Sequence, residues 1–187
     1  ENNKFVFSHV KEGKRAADLE DELQWLSDAG IVTQLELVEK PELPLSSMAD
    51  ATYFKVYLSD LGLLRRKSGL SFQTILDEDA FFQRYKGSLA ENYVLNELSV
   101  QGENAFFWRS GNTAEVDILL ETESRIIPME VKAADNVQAN SYTQFCKRYA
   151  PTIGFKISLK NIGENLCEQT RTISLPLYLV WNWKHYM

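Results

Sequence analysis

Apolar and polar residues alternate most clearly between Ala114 and Lys132, and the prediction for the rest of the chain is built around that stretch. In Ala114-Glu115-Val116-Asp117-Ile118-Leu119-Leu120 the period of two expected of a strand sets Val116, Ile118 and Leu120 on one face and Glu115 and Asp117 on the other. Ile126-Ile127-Pro128-Met129-Glu130-Val131-Lys132 repeats the pattern, with Ile127, Met129 and Val131 opposed to Glu130 and Lys132. A hairpin turning through Glu121 to Ser124 is expected. Both runs are apolar enough to lie near the middle of a sheet.

Helical spacing governs three other stretches. From Ala17 to Ala29, Leu19, Leu23 and Leu26 recur at that spacing beside Trp25, and Gly30 stands where a C-terminal cap belongs. Ala80 to Val100 is the longest predicted helix, striped by Phe82, Leu89, Val94, Leu95 and Leu98. Gly87 and Ser88 are expected to bend or restart it, and Glu91 lies one turn before Leu95. Ser141 to Tyr149 forms the third, with Tyr142, Phe145 and Cys146 apolar and Gln144, Lys147 and Arg148 left to solvent.

Strands are expected at Ile31–Val38, Tyr53–Leu58, Ala105–Arg109, Thr152–Leu159 and Leu175–Trp181, the last after a polar stretch from Lys160 to Thr170. Lys40 to Pro44 breaks the pattern between the first two, and Ser110-Gly111-Asn112 is a turn. Lys4 to Val10 is short and mixed, and Lys11 to Lys14 reads as a turn. Ser59 to Leu64 reads as a short helical segment, Arg65 to Gly69 as an exposed polar connection. The order divides into a winged-helix-like domain over 1–78 and an α/β domain over 79–187. The first could touch DNA through its hairpin or pack against a neighbouring domain. Trp181, Trp183 and Tyr186 close the chain, as a packing anchor or as a base-stacking platform.

The 187 residues are 44% hydrophobic, which supports a real core. No apolar run approaches the roughly 20 residues a membrane span needs, so no membrane role is expected. Two cysteines, Cys146 and Cys167, without metal-ligand spacing point to a cytoplasmic protein with neither zinc nor a disulfide framework. The opening at Glu1 suggests a piece of something longer. A formal net charge of -6 argues against a general nucleic-acid coat. The charge is uneven: nine Lys/Arg against fourteen Asp/Glu in residues 1–78 give -5, and eleven against twelve in residues 79–187 give -1. A basic groove would therefore belong to the second half.

Should the hairpin bring Asp117, Glu130 and Lys132 together, its two carboxylates could hold a hard divalent cation, and the ammonium could steady a nucleophile or a phosphate's charge. The ordinary alternative is a row of solvated charges on a strand's wet face.

With Lys86-Gly87-Ser88-Leu89-Ala90-Glu91-Asn92, Trp108-Arg109-Ser110-Gly111-Asn112, Glu115-Val116-Asp117 and Pro128-Met129-Glu130-Val131-Lys132 in this order, residues 80–187 resemble the domain called DUF4143. That domain follows an AAA-type ATPase module in many bacterial and archaeal proteins. It resembles in turn the PD-(D/E)xK superfamily, which implies a restriction-endonuclease-like mixed sheet flanked by helices. Asp28-Ala29-Gly30-Ile31-Val32, Lys40-Pro41, Pro44-Leu45 and Leu58 to Leu64 look like the winged-helix part that bridges ATPase and domain.

The resemblance implies Asp117, Glu130 and the Val131 carbonyl as ligands of Mg²⁺ or Mn²⁺. Lys132 would orient the attacking water, and Glu91 would hold a second metal or a water. Arg109, Ser110 and Asn112, with Gln144 on the following helix, are candidates for phosphate contact, although Arg109 could instead pair with a carboxylate. Val116 stands where the superfamily often has Pro. No G-x-x-x-x-G-K-[ST] occurs, so ATP belongs only to the N-terminal module. Two functions follow as expectations: a metal-dependent nuclease or nucleic-acid-binding domain attached to the ATPase, or a non-catalytic module docked on the ATPase, a protein partner or a second copy of itself.

Overall fold

The computed structural model describes residues 19–73, 80–111, 114–133 and 140–187. The expected elements before residue 19, the side chain of Phe82 and the candidate Asn112 lie outside the described residues. The elements run α1 (Glu20–Asp28), β1 (Val32–Val38), a 3₁₀ turn (Leu45–Ser47), β2 (Ala49–Leu58), α2 (Leu61–Lys67), α3 (Ala80–Val100), β3 (Ala105–Ser110), β4 (Ala114–Glu121), β5 (Ile126–Lys132), α4 (Asn140–Tyr149), β6 (Ile153–Ser158), β7 (Gly163–Cys167), β8 (Thr170–Pro176) and 3₁₀ turns over Leu177–Tyr186. The fold is α/β. One eight-stranded mixed sheet, in the order β2-β1-β3-β4-β5-β6-β8-β7, is flanked by helices.

Two layers of core cover the sheet. On one face α3 brings Ala90, Val94 and Leu98 down onto Ile118, Leu120, Ile127, Met129 and Val131. On the other face Phe145 of α4 packs with Trp108, Val116 and Leu119, its ring edge-on to Trp108 at 5.1 Å. β5 lies between, and its five inner residues are all buried, as befits a strand covered on both sides.

Several elements differ from the expected ones for identifiable reasons. Arg65, Arg66 and Lys67 belong to α2 rather than to a loop, because the Asp60 side chain caps that helix by accepting the Leu63 N–H at 2.5 Å, and three cations suit its C-terminal end. α3 runs unbroken through Gly87 and Ser88. The hairpin expected to stand out as a wing is part of the common sheet: β1 pairs antiparallel with β2 along one edge and parallel with β3 along the other, at Glu36↔Phe106 to Val38↔Trp108. β7 was hidden in the polar stretch. It is an edge strand pinned across the ladder by Arg171, which donates from Nε and Nη2 to the Glu164 carboxylate at 2.9 Å each. The last strand ends at Pro176, not Trp181. Beyond it, 3₁₀ turns set Val180 and Trp183 three residues apart, both fully buried, with Trp183 edge-on to Phe155 at 5.8 Å. The buried aromatic is thus a packing anchor.

No helix among the described residues is long and apolar enough to cross a membrane. Cys146 and Cys167 are free and buried together with Tyr142.

Pro128 sits just before the first β5–β6 pair, Met129↔Phe155, where its missing N–H disturbs the ladder least. Its ring meets Gly154. A Cβ at residue 154 would stand 2.9 Å from Pro128 Cγ and 3.0 Å from Pro128 O, and would also strike the Tyr142 hydroxyl. Gly154→Ala is therefore expected to destabilise the fold by roughly 1–3 kcal/mol, the usual range for overpacking, read as a lower midpoint in thermal unfolding.

Candidate functional site

The site begins with a break in strand periodicity. The β3–β4 ladder steps from Phe106↔Leu119 to Trp108↔Val116, so Phe107 alone faces both Asp117 and Ile118. One extra residue in β4 makes a bulge. In consequence Val116 and Leu119 pack with Trp108, while Ile118 and Leu120 join the core under α3. The expected common face of Val116, Ile118 and Leu120 is corrected on this point.

β4 and β5 pair only as far as Ile118↔Met129, and beyond it they part. Asp117 fills the fork, its Oδ2 accepting the Val131 N–H at 2.7 Å, so that a carboxylate takes the place of the missing strand neighbour. Because a residue's N–H and C=O leave the same strand edge, the Val131 carbonyl also faces the fork. Next along β5, Lys132 Nζ donates to Glu130 Oε1 at 2.6 Å. Glu130 is only 2% exposed, and its second oxygen, Oε2, is buried without a hydrogen-bond partner. Lys132 keeps partial contact with solvent.

α3 supplies Glu91 from above, where Oε2 accepts the Tyr57 hydroxyl at 3.2 Å. A further pair closes the cluster: Lys55 Nζ lies 2.5 Å from Glu115 Oε1 and 4.8 Å from the centre of the Phe107 ring. The structure thus brings Glu91, Asp117, Glu130 and Lys132 together. Lys55, Tyr57 and Glu115 join them, although the sequence reading assigned them no role. The available signal was the alternation Tyr53-Phe54-Lys55-Val56-Tyr57, which sets a lysine between two tyrosines on one strand face.

Four carboxyl groups share this space with two ammonium groups. Burial first, then the charge of Asp117, pushes Glu91 up to about 7 and Glu130 up to about 8. Burial also raises Asp117, against the pull of Lys132 and the Val131 N–H. Burial works against the charge on Lys132, yet Glu130 and Asp117 hold its ammonium above the ordinary lysine range. The partnership is therefore unequal: Lys132 gains from it, while Glu130, deeper and beside Asp117, remains hard to ionise. Tyr57, raised by burial and by Glu91 and Asp117, stays protonated and can donate.

Among the described residues no three His, Cys, Asp or Glu side chains already form a cation cage. Asp117 Oδ2, Glu130 Oε1 and Glu91 Oε2 are each engaged by a protein donor. The donor set nonetheless suits Mg²⁺ or Mn²⁺, since it is all oxygen, carries surplus negative charge and includes the orphaned Glu130 Oε2.

The remaining candidates are placed differently. Arg109 donates from Nη1 to the Tyr53 hydroxyl and stacks near its ring, with Cζ 5.8 Å from the centroid. Ser110 Oγ accepts Arg148 Nη1 at 3.3 Å. Gln144 is exposed on α4, whose buried side faces the Trp108 cluster.

Residues 86–178 match the family model described as Domain of unknown function (DUF4143), and residues 1–74 match Domain of unknown function (DUF8612). The DUF4143 resemblance therefore holds over the segment that carries Glu91, Asp117, Glu130 and Lys132. No curated protein and no solved structure matches the chain.

Carboxyls whose pKa is higher folded than unfolded make the native state bind more protons. Stability is then full below the unfolded value, 4.5 for Glu130, and is lost as pH rises through about 8. The thermal midpoint is expected to fall between pH 5 and pH 8 by the equivalent of roughly 1–3 kcal/mol. Glu130→Gln, which cannot ionise, should flatten that slope; an unchanged slope in the variant would remove Glu130 from the account.

Proposed function

We propose that this DUF4143-bearing chain carries a nuclease-like site that hydrolyses phosphodiester bonds with Mg²⁺ or Mn²⁺, and that it works in the cytoplasm attached to an AAA-type ATPase module of a longer protein. The reading is supported above all by one observation. Asp117, Glu130 and Lys132 converge where two central strands part, with Glu91 reaching in from α3 and one Glu130 oxygen left unpartnered.

Asp117, Glu130 and the Val131 carbonyl would hold the cation. When bound, it supplies a lowered water pKa and offsets the charge that grows on phosphoryl oxygens. Lys132 is the member of the cluster whose ammonium reaches solvent while anchored on Glu130, so it can orient a water or meet a phosphate oxygen. Glu91, with a pKa near 7, can pass a proton to or from a water close to neutral pH. Burial keeps bulk water from screening these charges.

A second reading has its own support. Tyr57 and Lys55 already engage two of the acids, as expected of a polar network that fixes a non-catalytic module's shape for docking on the ATPase or on a protein partner.

Titration calorimetry with Mn²⁺ separates the two. The nuclease-like reading expects heat from the protein, an affinity loss of roughly 10-fold or more for Asp117→Ala, and cleavage of plasmid, single-stranded DNA or RNA. Lys132→Ala should keep Mn²⁺ binding and lose roughly 100-fold or more in cleavage rate. Absence of heat from the unaltered protein would overturn this reading and leave the docking module.

A further inference from the structure

The acidic cluster draws on both halves of the chain. β2 sets Tyr53, Lys55 and Tyr57 on one face at strand spacing, and each meets a residue from beyond position 79. The Tyr53 hydroxyl accepts from Arg109 Nη1, Lys55 Nζ donates to Glu115 Oε1, and the Tyr57 hydroxyl donates to Glu91 Oε2. Bonds from α3 fasten the end of the same strand. Asn92 Nδ2 donates to the Leu58 carbonyl at 2.6 Å, and Asn96 Nδ2 donates to the Ser59 carbonyl at 3.1 Å. Asn92 adjoins Glu91 in sequence and is 2% exposed, so the helix turn that presents the acid is the turn that grips β2.

A glutamate on a helix has three side-chain torsions to settle before its carboxylate has a fixed place, whereas tyrosine has two and a rigid ring. The half-buried Tyr57 ring packs against the cluster of Leu35, Leu37, Leu95 and Phe107. Packing needs only the ring. The hydroxyl is a separate feature, and it ends on the carboxylate nearest the fork from the helix side.

We infer that Tyr57 is a positioning residue for the acidic site, holding the Glu91 carboxylate toward Asp117 and Glu130, so that the cation site is built jointly by the segment that matches DUF8612 and the one that matches DUF4143. The inference rests on the cation-binding reading given above. Lys55 serves the same arrangement from two residues away by neutralising Glu115, which would otherwise add a repelling charge beside Asp117. β2 is in this sense part of the site's wall and not only an edge of the sheet.

The test is Mn²⁺ calorimetry on the 187-residue chain and on Tyr57→Phe, Glu91→Gln and the double variant, with thermal midpoints measured alongside. Tyr57→Phe keeps the ring and removes the hydroxyl. It should weaken Mn²⁺ binding by roughly 10-fold, as loss of an outer partner of a metal ligand does, and should add nothing in the Glu91→Gln background. A merely structural tyrosine would move the thermal midpoint and leave this non-additivity absent. Wild-type affinity in Tyr57→Phe, or an effect that adds in full to that of Glu91→Gln, overturns the inference and leaves the proposed function standing. No heat from the unaltered chain overturns the proposed function and the inference with it. Should Tyr57→Phe fail to fold, Asn96→Ala decides: it loosens the grip on β2 without touching a carboxylate, and unchanged Mn²⁺ affinity there overturns the inference.

Discussion

A half-buried carboxylate lodged between two parting strands is the constraint to which the rest of this molecule answers. An isolated charge in the interior is far more costly than one hydrogen bond returns, so Asp117 is tolerable only with compensation. The Val131 N–H supplies some of it and Lys132 more, but Lys132 must also serve Glu130. The balance of negative charge is met by holding Glu91 and Glu130 protonated well above the ordinary carboxylate range. Protons are a poor permanent solution near neutral pH. A hard cation of two positive charges would be the better one, and this is the physical reason to look for metal chemistry here, where no ready cage forms among the described residues.

The sheet makes that arrangement possible by crossing from one half of the chain to the other. β1 pairs with β3 in parallel, which extends the common sheet into the β1–β2 hairpin and lets β2 reach residues more than thirty positions away. Two segments that match different families thus share one hydrogen-bonded scaffold. α4 and the Trp108 cluster close the other side. Rigid elements on both faces leave the acids little freedom.

Much of this was legible before any coordinates. The α3 span, the turn between β4 and β5, and the meeting of Asp117, Glu130 and Lys132 all follow from hydrophobic periodicity and from a resemblance carried on short motifs. Other features were not legible, for reasons that differ. β7 has no alternation to read, since Gly163-Glu164-Asn165-Leu166-Cys167 holds its place by pairing with β8 and by an ion pair from Arg171. The terminal segment reads as a strand because 3₁₀ and strand share buried aromatics, and only Pro176 hints at the change. The alternation around Lys55 and Tyr57 marks a strand face but not a site, because what matters about them is a partner sixty or thirty-four positions off. The bulge was invisible for a simpler cause: an apolar residue occupies the shifted position, so a regular pattern and a slipped one look alike.

That slip has a consequence for how such chains should be compared. The one surplus residue at Asp117–Ile118 lets Val116 serve one hydrophobic layer and Ile118 the opposite one without any change in composition. A relative lacking a single residue there would keep nearly the same hydropathy profile, yet its acid would be rotated out of the fork and an apolar side chain rotated in. For this architecture, the arithmetic of strand length decides whether an aspartate is chemistry or decoration, and counting residues between Trp108 and the turn tells more than matching them.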